Sequence, residues 1–191
     1  NQLTRLCRAM QESQGKVRIG FPRPHSGFVQ KIQKHLATES GPALITWFVV
    51  GHELAADHWY YQKDEGGRIL GNLAHWIDLT YRLVPPAGRF PLTIIPIRHQ
   101  KSDHDIAVNY LFGDGTIATL AFSAKGYAFE GVRERLTAQK GNVLISMNDF
   151  QTLTIEDVDK KISQRTTRRD QGHATAIKLS YNLVSPLNLP G

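Results

Sequence analysis

Cysteine is almost missing from this sequence. Cys7 stands alone, so neither an internal disulfide framework nor a Cys-rich zinc module can form, because both need several thiols within reach of one another. A lone thiol fits a reducing, cytoplasmic setting. Also missing is any run of about 18 apolar residues able to cross a bilayer as a helix. The longest apolar stretch, Ala43 to Val50, has the length of a strand. The first segment carries no apolar signal-peptide core, and the chain opens on Asn1 and not Met, so its start is expected to be a cut in a longer chain. Internal repeats and low-complexity tracts are absent as well.

What is present is enough for one sizeable core: 191 residues, 41% of them hydrophobic, which argues against disorder. The formal charge is +6, but five of the cations, Lys160, Lys161, Arg165, Arg168 and Arg169, fall within ten residues. That cluster is expected to be a mobile surface loop. It has no interleaved aromatics for base stacking and no reading helix after it, so nucleic acid is not the expected partner.

Leu3, Leu6, Cys7 and Met10 fall at helical spacing, predicting a helix over 2–14, followed by a strand over 16–21. Its apolar stripe has no earlier sequence to cover it, as in the last helix and exit strand of a preceding domain. A second helix is expected over 28–37, a strand over 43–50, and a long helix over 68–84 stopped by Pro85 and Pro86. The second half reads as β, with runs at 92–99, 104–112, 115–123, 130–138, 142–147 and 150–155, and a hairpin signal at Asp114-Gly115. A final helix is expected over 173–184. The class is therefore α+β: an open, mainly antiparallel sheet, a meander, with helices packed on one face.

Several chemistries fail on spacing. His52-Glu53 would need a second histidine at 56, where Ala stands, and neither His58 nor Asp103-His104-Asp105 supplies converging ligands, so no metal is expected. The Gly66-Gly67 and Gly113-Asp114-Gly115 pairs are not the dinucleotide fingerprint, and no P-loop occurs. Cys7 lies on an apolar stripe and reads as a packing thiol.

His75 stands apart. On an ideal wheel Ile69, Leu73, Ile77, Thr80 and Val84 form the core-facing stripe, while Arg68, Asn72, His75 and Arg82 gather opposite with Gly71, Asp78 and Leu79. An imidazole there can pass protons to a hydroxyl or carbonyl, with Asp78 at i+3 to orient it. It can equally be a surface histidine on a salt-bridged face, and pattern alone leaves both open.

The stretch Asp57-His58-Trp59-Tyr60, then Asp64-Glu65-Gly66-Gly67-Arg68-Ile69-Leu70-Gly71-Asn72-Leu73-Ala74-His75-Trp76-Ile77-Asp78-Leu79, resembles the glucose-fructose oxidoreductase and inositol dehydrogenase (Gfo/Idh/MocA-like) family at the start of its C-terminal domain. Gly20-Phe21-Pro22-Arg23 is similar to the strand leading into that family's Asn-Arg-Arg segment, and Asp170-Gln171-Gly172-His173 to its loop before a late helix. The resemblance covers nearly the whole chain. It implies that residues 1–20 end a Rossmann domain and that 21–191 form the substrate-binding and assembly domain. It implies NAD or NADP as cofactor, held mainly by a Rossmann domain not in this chain, a sugar-like or cyclitol-like alcohol as substrate, and His75 as the acid/base group. Trp59, Arg23, His58, Asn72 and His173 are then the candidate substrate contacts, Arg23 as a clamp for a carboxylate or phosphate and Trp59 stacking on a sugar ring. For Trp59 a half-buried core aromatic, and for His173 an ordinary helix-start histidine, remain open.

Three departures accompany the likeness. Gly71 stands where many members have an aspartate four residues before the histidine, Pro22 replaces the usual Asn before Arg23, and the Rossmann domain with its Gly-rich loop and Glu-Lys-Pro lysine is lacking. The isolated chain is thus expected to be inactive, a fragment of a dehydrogenase, with a non-catalytic binding or assembly protein of the same fold as the alternative. In relatives the open sheet face pairs subunits, which implies a homo-oligomer here.

Overall fold

The computed structural model describes residues 2–13, 20–62, 65, 67–99, 102–126 and 131–184. In chain order its strands are β1 Ala43–Val50, β2 Thr93–His99, β3 Ser102–Leu111, β4 Ile117–Ser123, β5 Arg133–Lys140, β6 Val143–Asn148, β7 Thr152–Glu156 and β8 Lys161–Arg165. The helices are α1 Gln2–Glu12, α2 Gly27–Leu36, α3 Ala74–Leu83 and α4 His173–Val184. The strand expected over 16–21 lies outside the described residues except for Gly20 and Phe21, as does Gly66.

All eight strands join one sheet in the order β2-β3-β4-β1-β5-β6-β7-β8. This is the expected α+β architecture with one difference from a plain meander: β1 lies between β4 and β5, parallel to β4 and antiparallel to β5. The reason is composition. Ile45, Trp47 and Val49 are all fully buried, and the most apolar strand finds two paired edges only in the middle of the sheet. Its alternate residues Leu44 and Phe48 stand exposed on the opposite face.

The helices cover the first face. Phe28, Val29, Ile32 and Leu36 of α2 and Trp76, Leu79 and Leu83 of α3 join Ile45, Trp47, Leu120, Leu136, Ile145 and Ile155 in one core. Ser26 starts α2 by accepting the Phe28 amide (3.2 Å). The other face is open. It carries Leu44, Phe48, Ile95, Ile97, Leu111, Ile117 and Leu144 as large exposed apolar side chains.

Two expectations are corrected. Residues 160–169 are not a loose loop: β8 pairs with β7 from Glu156↔Lys161 to Thr152↔Arg165, and Lys161 meets Glu156 at 2.9 Å. With one apolar residue in Lys-Ile-Ser-Gln-Arg, the strand shows little periodicity. Its charges suit a sheet edge, where they oppose further pairing. The helical wheel is also wrong in part, since Arg68 and Leu79, assigned to the outer side, are buried, and so are Trp76 and Leu83. A π-helical segment at Ile69–Leu73 runs directly into α3. The error lies in where the stripe is centred: at 100° per residue Arg68, Trp76, Leu79 and Leu83 fall within about 80° of one another, a face to one side of Ile69, Leu73 and Ile77.

The turn between β6 and β7 places Asp149 and Phe150 at φ 53° and 54°, with Gln151 N donating to Asn148 O at 3.0 Å. Asp tolerates left-handed backbone better than most residues, but it is unfavourable for Phe, so packing must hold Phe150 there. Phe150 is fully buried. Phe150→Gly relieves the backbone but removes the ring. The expected net loss is about 2–4 kcal/mol in urea unfolding, the cavity outweighing the strain.

Candidate functional site

Three distant stretches of sequence meet at one carboxylate. Glu134 follows the first residue of β5 and is 1% exposed. Its Oε2 accepts Arg23 Nε at 2.7 Å and Trp76 Nε1 at 2.6 Å. Its Oε1 accepts Arg23 Nη2 at 3.0 Å and Gln171 Nε2 at 2.5 Å. Arg23 also lies over the Trp76 ring, 4.8 Å from its centroid. The strand end is held in turn, because Glu134 N donates to Asp149 Oδ1 at 2.7 Å, Asp149 N donates back to Glu134 O at 2.7 Å, and Arg133 pairs with Asp149 at 3.0 Å.

Backbone packing reinforces the junction. Asp170 accepts the Gly27 amide at the start of α2 (2.8 Å) and the Gly172 amide (3.1 Å). Gly172 has φ +81°, and a Cβ there would stand 2.2 Å from the Pro22 carbonyl, so only glycine fits. Pro22 thus packs against the Asp170–His173 loop and opens the short 3-10 turn Arg23–His25.

His75 sits beside this junction, next to Trp76 in α3. It is half-buried, with Phe21 edge-on at 5.6 Å between ring centroids. Phe21 also lines an open apolar groove of about 450 Å³ with Leu70, Ile77, Tyr81, Phe90 and Tyr110. Burial holds the imidazole below its ordinary value of 6.5, and Arg23 and His173 push the same way. Glu134 and Asp78 oppose them. The ring is therefore neutral at physiological pH and able to accept a proton. Nδ1 of His75 and Oδ1 of Asn72 are both buried and lack a hydrogen-bond partner among the described residues.

The other candidates fall into two groups. Asn72 and His173 share the surroundings of His75, the latter through its charge from the exposed start of α4. Arg23 turns inward: its fork is bonded to Glu134 inside the protein, so a substrate carboxylate would have to displace a buried partner. Both oxygens of Asp78 accept Arg82 Nε, at 3.0 and 2.9 Å, and among the charges acting on His75 its effect is the smallest. His58 accepts the Tyr60 amide at 3.1 Å and stacks on Trp59, whose centroid is 5.7 Å away. Trp59 is 48% exposed, not a core aromatic. Tyr60 joins this cluster to the helix, donating its hydroxyl to Gly71 O at 2.6 Å. A Cβ at Gly71 would lie 2.6 Å from the Tyr60 ring, which gives this glycine a packing reason where an aspartate was the expected type.

Glu134, Gln171 and Tyr60 were not singled out from sequence. Glu134 left one signal: in Arg133–Lys140 it has the same parity as Leu136 and Ala138, both buried, so a carboxylate stands on the core side of a strand.

No family model and no curated protein matches this sequence. Solved structures do match. An oxidoreductase of the Gfo/Idh/MocA family from Vibrio cholerae aligns at TM-score 0.65 and 16% identity, over 96% of this chain and 58% of that one. UDP-N-acetylglucosamine 3-dehydrogenase from Acidithiobacillus ferrooxidans aligns at 0.61 and 16%, over 93% and 57%. Levoglucosan dehydrogenase, in complex with NADH and L-sorbose, aligns at 0.65 and 13%, over 88% and 52%. The chain thus spans little more than half the length of these structures. It has the α+β fold of the C-terminal domain of Gfo/Idh/MocA proteins, and at such identity the likeness is one of fold.

Removing Glu134 alone strands a buried guanidinium and an indole N–H. Glu134→Ala is expected to lower stability by about 3–5 kcal/mol, whereas the double change Arg23→Met/Glu134→Leu loses much less than the two single losses together. Denaturant unfolding of the three variants measures this.

Proposed function

We propose that this chain is the substrate-side and assembly domain, within residues 21–191, of a NAD(P)-dependent oxidoreductase acting on a sugar-like or cyclitol-like alcohol. Residues 1–20 would be the end of a preceding Rossmann domain. One observation carries the reading: the segments Gly20–Arg23 and Asp170–His173 and the helix of His75, remote in sequence, converge on Glu134 and leave a neutral imidazole at a half-exposed surface. The matched structures support it through what they are, an oxidoreductase and two dehydrogenases, one of them bound to NADH.

The residues present fit one wall of a nicotinamide site. Phe21 and His75, packed edge to face and both half-exposed, would form that wall, while the Gly-rich strand-turn-helix that would cradle a pyrophosphate does not occur in this chain. A bound nicotinamide supplies the acceptor for hydride. The part of this chain is the proton. With Nδ1 sealed, Nε2 is the nitrogen of His75 that meets the substrate hydroxyl and takes its proton as the carbon is oxidised. Asn72 and His173 border that position, and exposed Trp59 with His58 forms a more distant rim. The isolated chain would be inactive, because hydride transfer needs both walls held together. No helix among the described residues is long and apolar enough to cross a membrane, and the compartment proposed from the lone cysteine is the cytoplasm.

A second reading, a non-catalytic binding or assembly protein of the same fold, is favoured by two observations: Tyr60 fills the space at Gly71, and Glu134 occupies the fork of Arg23. The full-length protein separates the two. Reduction of NAD or NADP with a sugar or cyclitol is expected, and His75→Asn lowers kcat by about 10²–10⁴-fold. The acid limb of kcat/KM lies below 6.5, because the lowered value keeps the base form present to lower pH. Activity unchanged in the variant removes His75 from the mechanism, and an inactive parent across the panel favours the binding reading.

The open face would pair two copies. Phe48 and Leu44 of β1, Ile117 of β4 and Leu111 of β3 are exposed on adjoining strands, an apolar patch that a second sheet can cover. The parent is expected to sediment as a dimer and Phe48→Asp as a monomer at the same micromolar concentration. A monomeric parent counts against the pairing.

A further inference from the structure

We infer that Tyr60 is a positioning residue for His75: its hydroxyl and ring hold the helix backbone at Gly71, one turn before the imidazole, and so fix where that imidazole projects. The assignment deepens the oxidoreductase reading, and its kinetic arm rests on that reading.

Two contacts with Gly71 carry the inference. The first is the bond from the Tyr60 hydroxyl to Gly71 O, at 2.6 Å. That carbonyl is the acceptor an α-helix offers to the amide four residues on, which is the amide of His75 itself. A side-chain donor entering the ladder there acts on the turn that carries the imidazole. The second contact is steric. A Cβ at position 71 would stand 2.6, 2.9 and 3.0 Å from Cε1, Cζ and Cδ1 of Tyr60, so the ring lies against the glycine backbone with no room between them. The ring stops the turn from moving toward Tyr60, and the hydroxyl stops it from moving away.

The turn held in this way is the one that most needs an outside support. Ile69–Leu73 is π-helical, with Ala74 N donating to Ile69 O five residues back, a geometry less favourable than the α-helix that follows. On the far side His75 is already fixed, because its neighbour Trp76 donates to the buried Glu134 at 2.6 Å. Tyr60 supplies the near side, and it is itself anchored. His58 Nδ1 accepts the Tyr60 amide at 3.1 Å, and the rings of Trp59 and His58 pack on it edge-on at 4.1 and 4.8 Å between centroids. The aromatic cluster therefore acts on the candidate base through Gly71, without touching the reacting atoms.

His75 reports its own placement. Burial is the largest reason that it titrates below 6.5, ahead of the charges on Arg23, Glu134, His173 and Asp78, so a ring released toward water titrates closer to 6.5. The test is the NMR titration of His75 in the full-length protein, with His75→Asn used to assign the signal. Tyr60→Phe keeps the ring and removes only the hydroxyl. His75 is expected to titrate at higher pH than in the parent, and kcat to fall about five- to tenfold, the worth of one net hydrogen bond, with KM little changed. Gly71→Ala, whose methyl drives the ring off the helix, has the same two effects, and the double variant goes no further than the larger single change, since both act through one contact. An unchanged titration in Tyr60→Phe overturns the assignment, and so do single effects that add in the double variant. A loss confined to KM makes Tyr60 a substrate contact and overturns it as well. Should Gly71→Ala fail to fold, Tyr60→Phe decides alone. Should the parent oxidise no alcohol, the enzyme reading falls, while the titration still decides this one.

Discussion

The Arg23–Glu134 ion pair is the constraint from which the candidate site follows. Arg23 belongs to the short turn before α2, and Glu134 to the start of β5. Trp76 and Gln171, which share the carboxylate, come from α3 and from the loop before α4. A carboxylate 1% exposed is tolerable only if every lone-pair direction is filled, and four donor contacts fill it. Because the donors come from three separate stretches of chain, satisfying one charge fixes the relative placement of all three. Burial of apolar surface brings the helices onto the sheet, but it is indifferent to small sliding motions. The bidentate pair and the indole N–H are directional, and they set the position of His75 through its neighbour Trp76.

The same carboxylate shows why much of the fold was legible and the site only partly so. Burial patterns with a fixed period can be read from one residue to the next. Ala43–Val50 alternates as a strand should, His173–Val184 holds its bounds, and Asp114-Gly115 turns between β3 and β4 with Gly115 at φ +86°. The β8 strand could not be read, because Lys161–Arg165 is an edge strand stabilised by its ladder and carries hardly any apolar signal. A stripe centred on Ile69, Leu73 and Ile77 misses the buried face of the helix around His75, because Trp76, Leu79 and Leu83 gather on one side together with Arg68, whose charge masks it. The chemistry of Arg23 is legible as a carboxylate clamp, but not which carboxylate it holds. Its actual partner lies 111 residues away, and sequence spacing carries no information about that distance.

Gly71 illustrates how a departure from an expected residue type acquires a physical meaning once neighbours are known. Read alone, it is a missing carboxylate. In the structure it is the floor for Tyr60, whose hydroxyl donates to the Gly71 carbonyl while its ring occupies the volume a side chain would need. Tyr60 in turn packs with Trp59 at 4.1 Å between centroids, so the aromatic rim is anchored to the helix one turn before His75. An aspartate at 71 and this arrangement of Tyr60 exclude each other. The absence of the acid therefore goes with a different packing of this wall, and the charges that act on His75 come from Arg23, Glu134, His173 and Asp78.

Those charges are ordered in a telling way. Arg23 lowers the affinity of His75 for a proton more than Glu134 raises it, although the two partners are bonded to each other. The pair thus acts on the imidazole as a dipole with its positive end dominant. That sign has a consequence for stability as well as chemistry. Above the ordinary histidine value of 6.5 the ring is neutral in both folded and unfolded chains, and the group is without effect. As the pH falls below 6.5 the unfolded chain takes up the proton first, so the folded state is weakened until its own lower value is reached. A surface imidazole with a free solvent shell would show no such loss. The protein therefore holds this ring in a setting that disfavours its charged form. That is a liability in acid for a purely structural histidine, and it is the condition a proton acceptor requires at neutral pH.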